Sequence, residues 1–349
     1  MENTASTNSA EYSLSIAELG ELMGITVQGV HQLIKRNKLE SEKIGSQKYL
    51  LPQTIRKILE ARGVKYRSKI ISIQANKGGV GKTTTAYHIA IRASMYGARV
   101  LCVDLDMQGN MTQAFQVKDP RVPVFYDVFK GDINIADAIV PISQHIKILA
   151  SHLANSKLDK ALAQDTKLNI SEVIRNILHP VMDQYDLVIV DCAPALSHLN
   201  TCVALGSDMV IIPVNPDPFA VEGLTQTMEE LQEIQRRFKA KFEIKILFNK
   251  YDAREKSSFD YLTTLSGKYS GLFFKSFIRN NADLKNAIIA KKSVFDYKQA
   301  PAREDYDLLT REILDLNNLK EQSEAASVEI KRPTPSMPEK STVESPAHA

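Results

Sequence analysis

The chain has few of the features that mark secreted and membrane proteins. It contains only three cysteines in 349 residues, Cys102, Cys192 and Cys202, and each lies in or beside an apolar run. Three cysteines are too few for a disulfide framework, so a reducing, cytoplasmic setting is expected. No run approaches the roughly 18 apolar residues of a membrane span, and the polar first 12 residues lack the apolar core of a signal peptide. The sequence therefore predicts a protein that is neither secreted nor inserted in a membrane.

Neither sign of charge dominates the chain as a whole, but charge is distributed unevenly along it. The formal net charge is +3. Residues 1–69 carry 11 Lys/Arg against 7 Asp/Glu, and residues 236–298 carry 15 against 6, so the remainder is acidic. Two basic segments predict two nucleic-acid surfaces, although any single lysine or arginine more often only solvates a helix face.

A glycine-rich stretch, Lys-Gly-Gly-Val-Gly-Lys-Thr-Thr, occupies residues 77–84 between an apolar strand-like run and a helix-like run. Such a turn aims backbone N–H groups at a phosphate chain, and the following helix adds its positive dipole end. The ordinary P-loop has glycine at the position of Asn76, and Lys77 is additional. The stretch predicts a nucleoside triphosphate site, with Lys82 on the β and γ phosphates and Thr83 on Mg²⁺. The predicted ATP-binding residues are Lys77, Gly78, Gly79, Val80, Gly81, Lys82, Thr83, Thr84 and Asn249.

Acidic residues follow two further strand-like runs. Asp104 and Asp106 end the second run before a Gly-Asn turn, and Asp191 ends the apolar run at 187–190. Alternation along a strand places Asp104 and Asp106 on one side. An acid at the end of a buried strand orients Mg²⁺ in phosphoryl-transfer sites, as in the Walker B motif. One such acid is often only a cap or an ion-pair partner. Three of them in order after a glycine loop predict a magnesium site.

Periodicity predicts an α/β fold, a mainly parallel, doubly wound P-loop sheet. Short apolar runs alternate with helix-like stretches, which is typical of βαβ units covered on both faces. The phosphate site is expected at the carboxyl ends of the strands. The strand-like runs are 70–75, 99–104, 145–150, 186–191, 209–214, 243–248 and 272–278, and the helix-like stretches include 84–96, 168–183, 219–238 and 282–291.

Residues 13–66 show two short helical patterns and a basic hairpin, which predict a winged helix-turn-helix domain resembling that of MerR-like regulators. An ordinary helical hairpin is the alternative. The predicted DNA contacts from this domain are Gln28, His31, Lys35 and Arg36 on the second helix and Lys43 and Lys48 on the wing. Residues 1–12 are predicted to be a flexible N-terminus, and the Ser-, Glu-, Lys- and Pro-rich residues 317–349 a disordered tail.

Three motifs carry a family resemblance. Lys77 to Thr84, Asp104 to Asn110 and Asp191 to Leu196 resemble the deviant Walker A, A′ and B motifs of the ParA/MinD family, and the similarity spans about 69–316. With its N-terminal domain, the chain is most similar to the larger plasmid-partition ParA proteins. The resemblance implies catalytic roles for Lys77, Lys82 and Asp106, and metal roles for Thr83, Asp104 and Asp191. It makes Lys77 the signature lysine, which reaches the partner's phosphates in an ATP-sandwich dimer, and makes Asp106 the residue that positions the attacking water.

The resemblance also implies partners and cofactors. It predicts a cytoplasmic, nucleoid-associated homodimer that uses ATP and Mg²⁺, binds DNA non-specifically, is stimulated by a ParB-like adaptor and represses its own operon. The tail lacks the basic amphipathic helix that would favour a membrane. Lys291 and Lys292 have a second interpretation as residues that close a helix. The basic residues expected on the non-specific DNA surface are Arg254, Lys256, Lys275, Arg279, Lys291 and Lys292.

Several alternatives stay open. The chain could be primarily a transcriptional regulator switched by nucleotide, or an ATPase that positions a protein cargo. Residues 249–252 read Asn-Lys-Tyr-Asp, which matches the N-K-x-D motif that reads guanine in many GTPases. Four residues with one free position recur by chance, so the context favours ATP over GTP.

Overall fold

The computed structural model describes residues 12–297, 300–317 and 319. The predicted flexible N-terminus and C-terminal tail lie outside these residues, except for Tyr12, residue 317 and Leu319. Among the described residues, a small N-terminal sheet contains β1 (Leu14–Ser15), β2 (Glu42–Ile44) and β3 (Gln47–Leu50). A central seven-stranded sheet contains β4 (Lys69–Ile73), β5 (Val100–Asp104), β6 (Ile139–Pro141), β7 (Ile146–Leu149), β8 (Leu187–Asp191), β9 (Met209–Val214) and β10 (Glu243–Phe248).

Helices cover the sheet and form most of the N-terminal segment. The α-helices are α1 (Ile16–Met23), α2 (Val27–Arg36), α3 (Pro52–Ala61), α4 (Lys82–Met95), α5 (Asn110–Ala114), α6 (Phe125–Lys130), α7 (Ile135–Ala138), α8 (Leu158–Gln164), α9 (Val173–Leu178), α10 (His198–Gly206), α11 (Ala220–Phe238), α12 (Lys256–Lys268), α13 (Ala282–Ile289) and α14 (Pro301–Ile313). Short 3₁₀ segments occupy Leu153–Lys157, His179–Gln184 and Val294–Asp296.

The central sheet has the strand order β10-β9-β4-β8-β5-β7-β6, and only β6 runs antiparallel to its neighbour. Every residue of β5, β8 and β9 is buried. Buried strands without alternation are typical of a parallel sheet covered on both faces, so the prediction of an α/β fold with a mainly parallel sheet is confirmed. The order places β4 between β8 and β9, which brings the carboxyl ends of these three strands to one edge of the sheet.

Two predicted elements differ from the structure. The run 272–278 is not a continuous strand: Phe273 pairs with Ile246 of β10 only as an isolated bridge, and the chain returns to β10 where the Ile278 N–H donates to Phe248 O over 2.9 Å. The N–H groups of Lys275 and Ser276 instead donate to the Glu312 carboxylate, over 3.0 and 3.2 Å. The predicted helix 168–183 is reduced to α9 and a 3₁₀ segment that contains Pro180, a residue without the N–H group that an α-helix requires.

Local capping explains the N-terminal elements. Ser15 Oγ accepts the Glu18 N–H (3.3 Å) and Glu18 Oε2 accepts the Ser15 N–H (3.0 Å), a capping box that begins α1. Gly24, with φ of 65°, ends α1, and Thr26 caps α2 by accepting the Gly29 N–H over 3.1 Å. The predicted two helices and hairpin are therefore present, and their use as a DNA-binding domain belongs to the proposal below.

Buried ion pairs join this N-terminal segment to the rest of the chain. Glu18 pairs with Arg92 of α4 over 2.9 Å and with Arg303 of α14 over 2.5 Å, and the Arg92 side chain is only 2% exposed. Arg56 of α3 pairs with Asp186, just before β8, over 2.5 Å. Helix α4 is the helix that follows the glycine loop. The N-terminal segment therefore packs directly on the helix that begins at the predicted phosphate site.

Glu18→Gln is expected to lower stability in a pH-dependent way. Burial raises the pKa of Glu18, but the charges of Arg92 and Arg303 and the hydrogen bonds from Ser15 outweigh it and lower the pKa from 4.5 to about 2. Because the folded-state pKa is depressed, the stabilisation is present above pH 4.5 and is lost as pH falls towards 2. At neutral pH the variant should lose about 2–3 kcal/mol of unfolding free energy.

Denaturant unfolding at pH 7 and at pH 3 measures this difference. Glu21→Gln is the matched control, because Glu21 lies on the same helix, is 64% exposed and meets Arg311 only at 3.5 Å. We expect the control to change stability by less than about 0.5 kcal/mol. An equal loss in both variants, or a Glu18→Gln loss that does not shrink at low pH, would contradict the role assigned to Glu18.

Candidate nucleotide site

The glycine loop lies between β4 and α4, at the carboxyl end of a central strand. Gly79 and Gly81 have φ of 74° and 97°, in the left-handed region that favours glycine. A Cβ on Gly81 would also lie 2.3 Å from Asn249 Nδ2. Gly78 shows neither constraint, because its φ is not positive and the space around it is open. The loop conformation therefore requires glycine at two of the three predicted positions.

A cavity of about 1030 Å³ opens over this loop. It is lined by most of the residues predicted to bind the phosphates, by Asp106 after β5 and by Asn249 after β10. Lys77, Val80, Asp104 and Asp191 do not line it. The predicted residues that do are Gly78, Gly79, Gly81, Lys82, Thr83, Thr84, Asp106 and Asn249, and sequence reasoning missed Tyr87, Gln108, Asn110, Gln113 and Tyr306.

Lys82 lies beneath the loop. Its side chain is held between backbone carbonyls, with Nζ 3.3 Å from Ala75 O and 3.1 Å from Lys77 O. Burial lowers its pKa, although the charge of Asp191 acts in the opposite direction. The ammonium group therefore lies at the base of the cavity, where it can bind the β and γ phosphates of a nucleotide.

Asp191 is an unpaired carboxylate at the end of β8. The side chain is fully buried, and neither oxygen makes a well-formed hydrogen bond among the described residues, although the Thr83 hydroxyl lies near enough to act on its pKa. Burial and then the charge of Asp104 raise its pKa well above the usual value, and Thr83 and Lys82 offset this only in part. A buried charge without a partner is costly, and Mg²⁺ takes oxygen ligands. These residues therefore fit a magnesium ion.

The described residues include no group of three or more histidine, cysteine or acidic side chains arranged to hold a metal by themselves. Mg²⁺ is commonly held by one or two protein carboxylates together with substrate phosphates and water. A single unpaired carboxylate beside a phosphate loop is therefore sufficient for such a site.

Asp104 and Asp106 have different contacts. Asp104 accepts hydrogen bonds from the N–H of Asp106 (3.2 Å) and from the N–H and hydroxyl of Thr112 (2.9 and 2.7 Å). These bonds fix the turn that leads into α5. Asp106 lines the cavity, and its Oδ1 accepts the Gln108 N–H over 3.0 Å. The metal role of Asp104 stays a prediction, because its oxygens are already engaged, whereas Asp106 faces the space where a nucleotide would bind.

Lys77 points away from the cavity. Its Nζ lies 2.6 Å from Asp217 Oδ1 and 5.5 Å from the centre of the Phe219 ring. Asp217 and Phe219 follow β9, which is the neighbour of β4 in the sheet. Sequence reasoning missed both partners. The signal that could have found them is the Asn-Pro-Asp sequence at 215–217, which directly follows a strand that ends beside the glycine loop.

The opposite side of the cavity is formed by the segment after β10. Asn249 Nδ2 donates to Val80 O over 2.7 Å, and Lys250 Nζ donates to Gly79 O over 2.8 Å. Arg254, Arg279 and Lys291 also line the cavity. The predicted ATP contact at Asn249 stays a prediction: this side chain lines the cavity, and its amide N–H is used to support the loop.

Three of the predicted DNA contacts, Arg254, Arg279 and Lys291, line the nucleotide cavity. Arg254 pairs with Asp252, and Arg279 pairs with Asp305 and Glu304, so both guanidinium groups are engaged. Lys291 and Lys292 directly follow α13, and their N–H groups donate to the last carbonyls of that helix, as the helix-closing interpretation requires. Their DNA role, and that of the exposed Lys256 and Lys275, stays a prediction.

Six exposed side chains in the N-terminal segment have no side-chain partner among the described residues: Gln28, His31, Lys35, Arg36, Lys43 and Lys48.

Comparison with known proteins identifies the class. A family model described as an AAA domain (AAA_31) matches residues 68–244. The sporulation initiation inhibitor protein Soj of Bacillus subtilis is 28% identical over 236 residues, which cover 66% of this chain and 91% of that protein. The chromosome partitioning protein ParA of Caulobacter vibrioides is 27% identical over 252 residues, 70% of this chain and 94% of that protein.

Solved structures show the same fold at lower identity. A Cyanothece McdA protein in complex with ATP has a TM-score of 0.66 at 22% identity, covering 72% of this chain and 98% of its own. A cobyrinic acid a,c-diamide synthase from Mycobacterium smegmatis, with a bound ATP analogue and magnesium, has a TM-score of 0.63 at 22% identity, covering 71% and 94%. A plasmid partition protein from Borrelia burgdorferi has a TM-score of 0.59 at 20% identity, covering 71% and 99%.

The fold, the glycine loop and these matches all indicate the same protein family. The chain belongs to the ParA/Soj/MinD family of P-loop ATPases, which is related to chromosome and plasmid partition proteins. It is therefore an ATPase of the ParA type. No helix among the described residues is both long enough and apolar enough to cross a bilayer.

Proposed function

We propose that the chain is a DNA-partition ATPase in which two copies clasp ATP and Mg²⁺ between them. The ATP-bound dimer binds DNA non-specifically, a ParB-like adaptor stimulates hydrolysis, and release of the dimer from DNA resets the cycle. The cargo is plasmid or chromosomal DNA, and the protein works in the cytoplasm on the nucleoid. Relatives named for chromosome partitioning support this cargo.

The observation that carries the proposal is the position of Lys77. This lysine belongs to the phosphate loop, yet it lies outside the cavity and is 37% exposed beside Asp217. A cation on the rim is accessible to a second copy. Because phosphoryl transfer depends mainly on positioning and charge neutralisation, a lysine supplied by the partner makes hydrolysis conditional on dimerisation.

The other residues have complementary tasks. Lys82 and the backbone N–H groups of residues 78–84 bind the phosphates, and Asp106 orients the attacking water. Thr83 and Asp191 hold Mg²⁺, with Asp104 fixing the neighbouring turn. When bound, Mg²⁺ neutralises charge that develops on the phosphate oxygens.

Two measurements test the proposal together. Sedimentation should give a dimer only with ATP and Mg²⁺, and that dimer should bind DNA of random sequence with an affinity that falls as the salt concentration rises.

The N-terminal segment supplies operator recognition and autorepression. Helix α2 exposes Gln28, His31 and Lys35, which are spaced three and four residues apart and so lie on one face, beside Arg36. Lys43 and Lys48 extend the basic surface along the hairpin. A helix of this kind fits the major groove, and a basic hairpin fits the adjoining phosphates.

Lys35→Ala/Arg36→Ala is expected to weaken binding to DNA from the chain's own promoter region. The slope of log affinity against log salt should decrease by about 2, because two phosphate or base contacts are lost. Fluorescence anisotropy over a range of salt concentrations measures both effects. Lys57→Ala, which removes an exposed charge on α3, is the control that should leave the slope unchanged. An unchanged slope in the double variant would exclude this face of α2 from the DNA contact.

The same double variant separates the second candidate function, a nucleotide-switched regulator, from the first. The exposed basic residues of α2 and the hairpin favour this candidate. If the variant keeps ATP-dependent binding to random DNA, the partition ATPase stands, and if it loses all DNA binding, the regulator is favoured. Substitutions suit this test better than deletion of residues 1–63, which would leave the buried Arg92 and Asp186 without Glu18 and Arg56.

A third candidate function keeps the ATPase but replaces the DNA cargo with a protein cargo. An ATPase of this type could position a protein cluster on the nucleoid, with an adaptor selecting the cargo. Co-purification distinguishes the two cargoes. A centromere-binding, ParB-like protein that stimulates hydrolysis supports DNA partition, and stimulation only by a protein without DNA affinity supports the alternative.

A further inference from the structure

The N-K-x-D motif at residues 249–252 lies against the phosphate loop. Asn249 Nδ2 and Lys250 Nζ donate to the carbonyls of Val80 and Gly79, over 2.7 and 2.8 Å. Lys250 adopts a left-handed conformation, with φ of 57°, and its N–H donates to Asn249 Oδ1. The first two residues of the motif are therefore anchors of the loop, and the fourth residue, Asp252, follows them beside the cavity.

The carboxylate of Asp252 is already fully engaged. Its Oδ1 accepts the N–H and Nε–H of Arg254, over 3.0 and 2.9 Å, and its Oδ2 accepts an Nη–H of Arg254 over 2.6 Å. The hydrogen bonds from Arg254 hold the pKa of Asp252 below its usual range. A carboxylate has about four acceptor positions, so few remain for a ligand.

Arg254, and not Asp252, lines the cavity at this point. Arg254 is 85% exposed and covers the solvent side of Asp252, whose side chain is 9% exposed. The segment that carries the pair is held to the start of α13, since the Tyr251 N–H donates to Ile278 O (2.9 Å) and the Asn280 N–H donates to Tyr251 O (2.7 Å). The wall where a nucleotide base would lie thus presents a donor-only guanidinium in place of an acceptor.

The replacement of an acceptor by a donor at this wall affects which nucleotide base can form hydrogen bonds there. The edge of guanine that a free aspartate reads carries two donors, N1–H and the N2 amino group. Adenine presents an acceptor at N1 and a donor at its N6 amino group. Donors on guanine cannot pair with the donors of Arg254, and the Asp252 carboxylate that would accept them is already engaged, so guanine forms fewer hydrogen bonds here than a free aspartate would provide. Adenine N1 can accept a hydrogen bond from the same wall.

We infer that Arg254 is a specificity-determining residue that excludes guanine nucleotides by occupying Asp252, so that the site takes adenine nucleotides despite its N-K-x-D sequence. Arg254 acts in two ways: it occupies the Asp252 carboxylate, and it presents hydrogen-bond donors to the base. The inference rests on the proposed nucleotide site and deepens it. The guanidinium, which the family resemblance placed on a DNA surface, then has a task within the nucleotide cavity.

The test is competition of fluorescent mant-ATP by unlabelled ATP and GTP, with Mg²⁺, on the full chain. Wild type should bind GTP at least about ten-fold more weakly than ATP. Arg254→Ala should shift the ratio towards GTP by about ten- to a hundred-fold, the factor for one or two hydrogen bonds to a charged group. Arg254→Ala/Asp252→Ala should return GTP to weak binding, because the acceptor is then removed as well.

Two further variants serve as controls. Arg254→Gln, which keeps the side-chain stem and loses the charge, should shift the ratio in the same direction as Arg254→Ala. Lys160→Ala removes an exposed cation that does not line the cavity and should leave the ratio unchanged. Because Arg254 is largely exposed, its loss should not unfold the chain, which circular dichroism verifies.

The outcomes are separable. Equal binding of ATP and GTP by wild type, or an unchanged ratio in Arg254→Ala, would overturn the inference while leaving the nucleotide site intact. No binding of either nucleotide by wild type would overturn the proposed function and the inference together.

Discussion

Lys77→Ala is expected to abolish the ATP-dependent dimer and, with it, hydrolysis. In the proposed dimer this cation neutralises the partner's phosphates, so its removal leaves negative charge uncompensated at the interface. A basic side chain supplied in trans is worth about 10³-fold or more in the rate of phosphoryl transfer, and we expect a loss of that order. Sedimentation velocity with ATP and Mg²⁺ measures the assembly, and phosphate release measures the rate.

Binding of ATP to the Lys77→Ala monomer provides the internal control. Because Lys77 lies outside its own cavity, equilibrium binding should change by no more than a few-fold. Lys256→Ala, which removes a lysine charge elsewhere on the surface, should dimerise like wild type. A normal dimer in Lys77→Ala would refute the role in trans, and loss of ATP binding itself would place the lysine in its own site.

Asp106→Ala is expected to hold the dimer in its ATP-bound state, because hydrolysis is lost while dimerisation remains. The carboxylate faces the cavity and is positioned to orient water, but it does not hold the phosphate loop. Groups that position or deprotonate a nucleophile typically contribute about 10²–10⁴-fold to rate, so hydrolysis should fall by this factor while ATP-dependent dimerisation remains. Single-turnover hydrolysis and sedimentation on the same preparation separate the two effects.

Asp106→Asn distinguishes chemistry from loop structure. The amide oxygen still accepts the Gln108 N–H, so the turn is preserved, but the negative charge is lost. We expect Asp106→Asn to be as slow as Asp106→Ala. A rate near that of wild type would mean that the carboxylate acts only as a turn residue.

Sequence reasoning was most successful where local pattern fixes structure. The glycine loop and the acidic strand ends are encoded by neighbours in the chain: a positive φ at Gly79 and Gly81 requires glycine, and Asp191 ends a continuous apolar run. Parallel strands then bring these ends to one edge without further information. The cavity over the loop follows from these elements.

Contacts between distant segments could not be predicted in this way. The Lys77–Asp217 pair joins loops after β4 and β9, and it depends on a strand order that alternation alone does not give. Likewise, the run 272–278 has the composition of a strand, but its pairing with β10 is interrupted where the N–H groups of Lys275 and Ser276 donate to Glu312. In both cases the outcome depends on which of several polar groups lies nearest in the folded chain.

The proposed trans role of Lys77 would explain why ATP hydrolysis requires the dimer. The lysine is held on the rim by Asp217, whereas Lys82 is buried beneath the loop. In the proposed dimer, the two lysines of one motif would serve two different copies of the chain.

Complementation between two inactive variants tests this arrangement most directly. In a mixture of Lys77→Ala and Asp106→Ala, the heterodimer has one site with an intact Asp106 and a lysine from its partner, while the other site lacks both. Hydrolysis should therefore return to about half of the wild-type rate per heterodimer. If Lys77 served its own nucleotide, each site would keep one defect and the mixture would stay as inactive as its components.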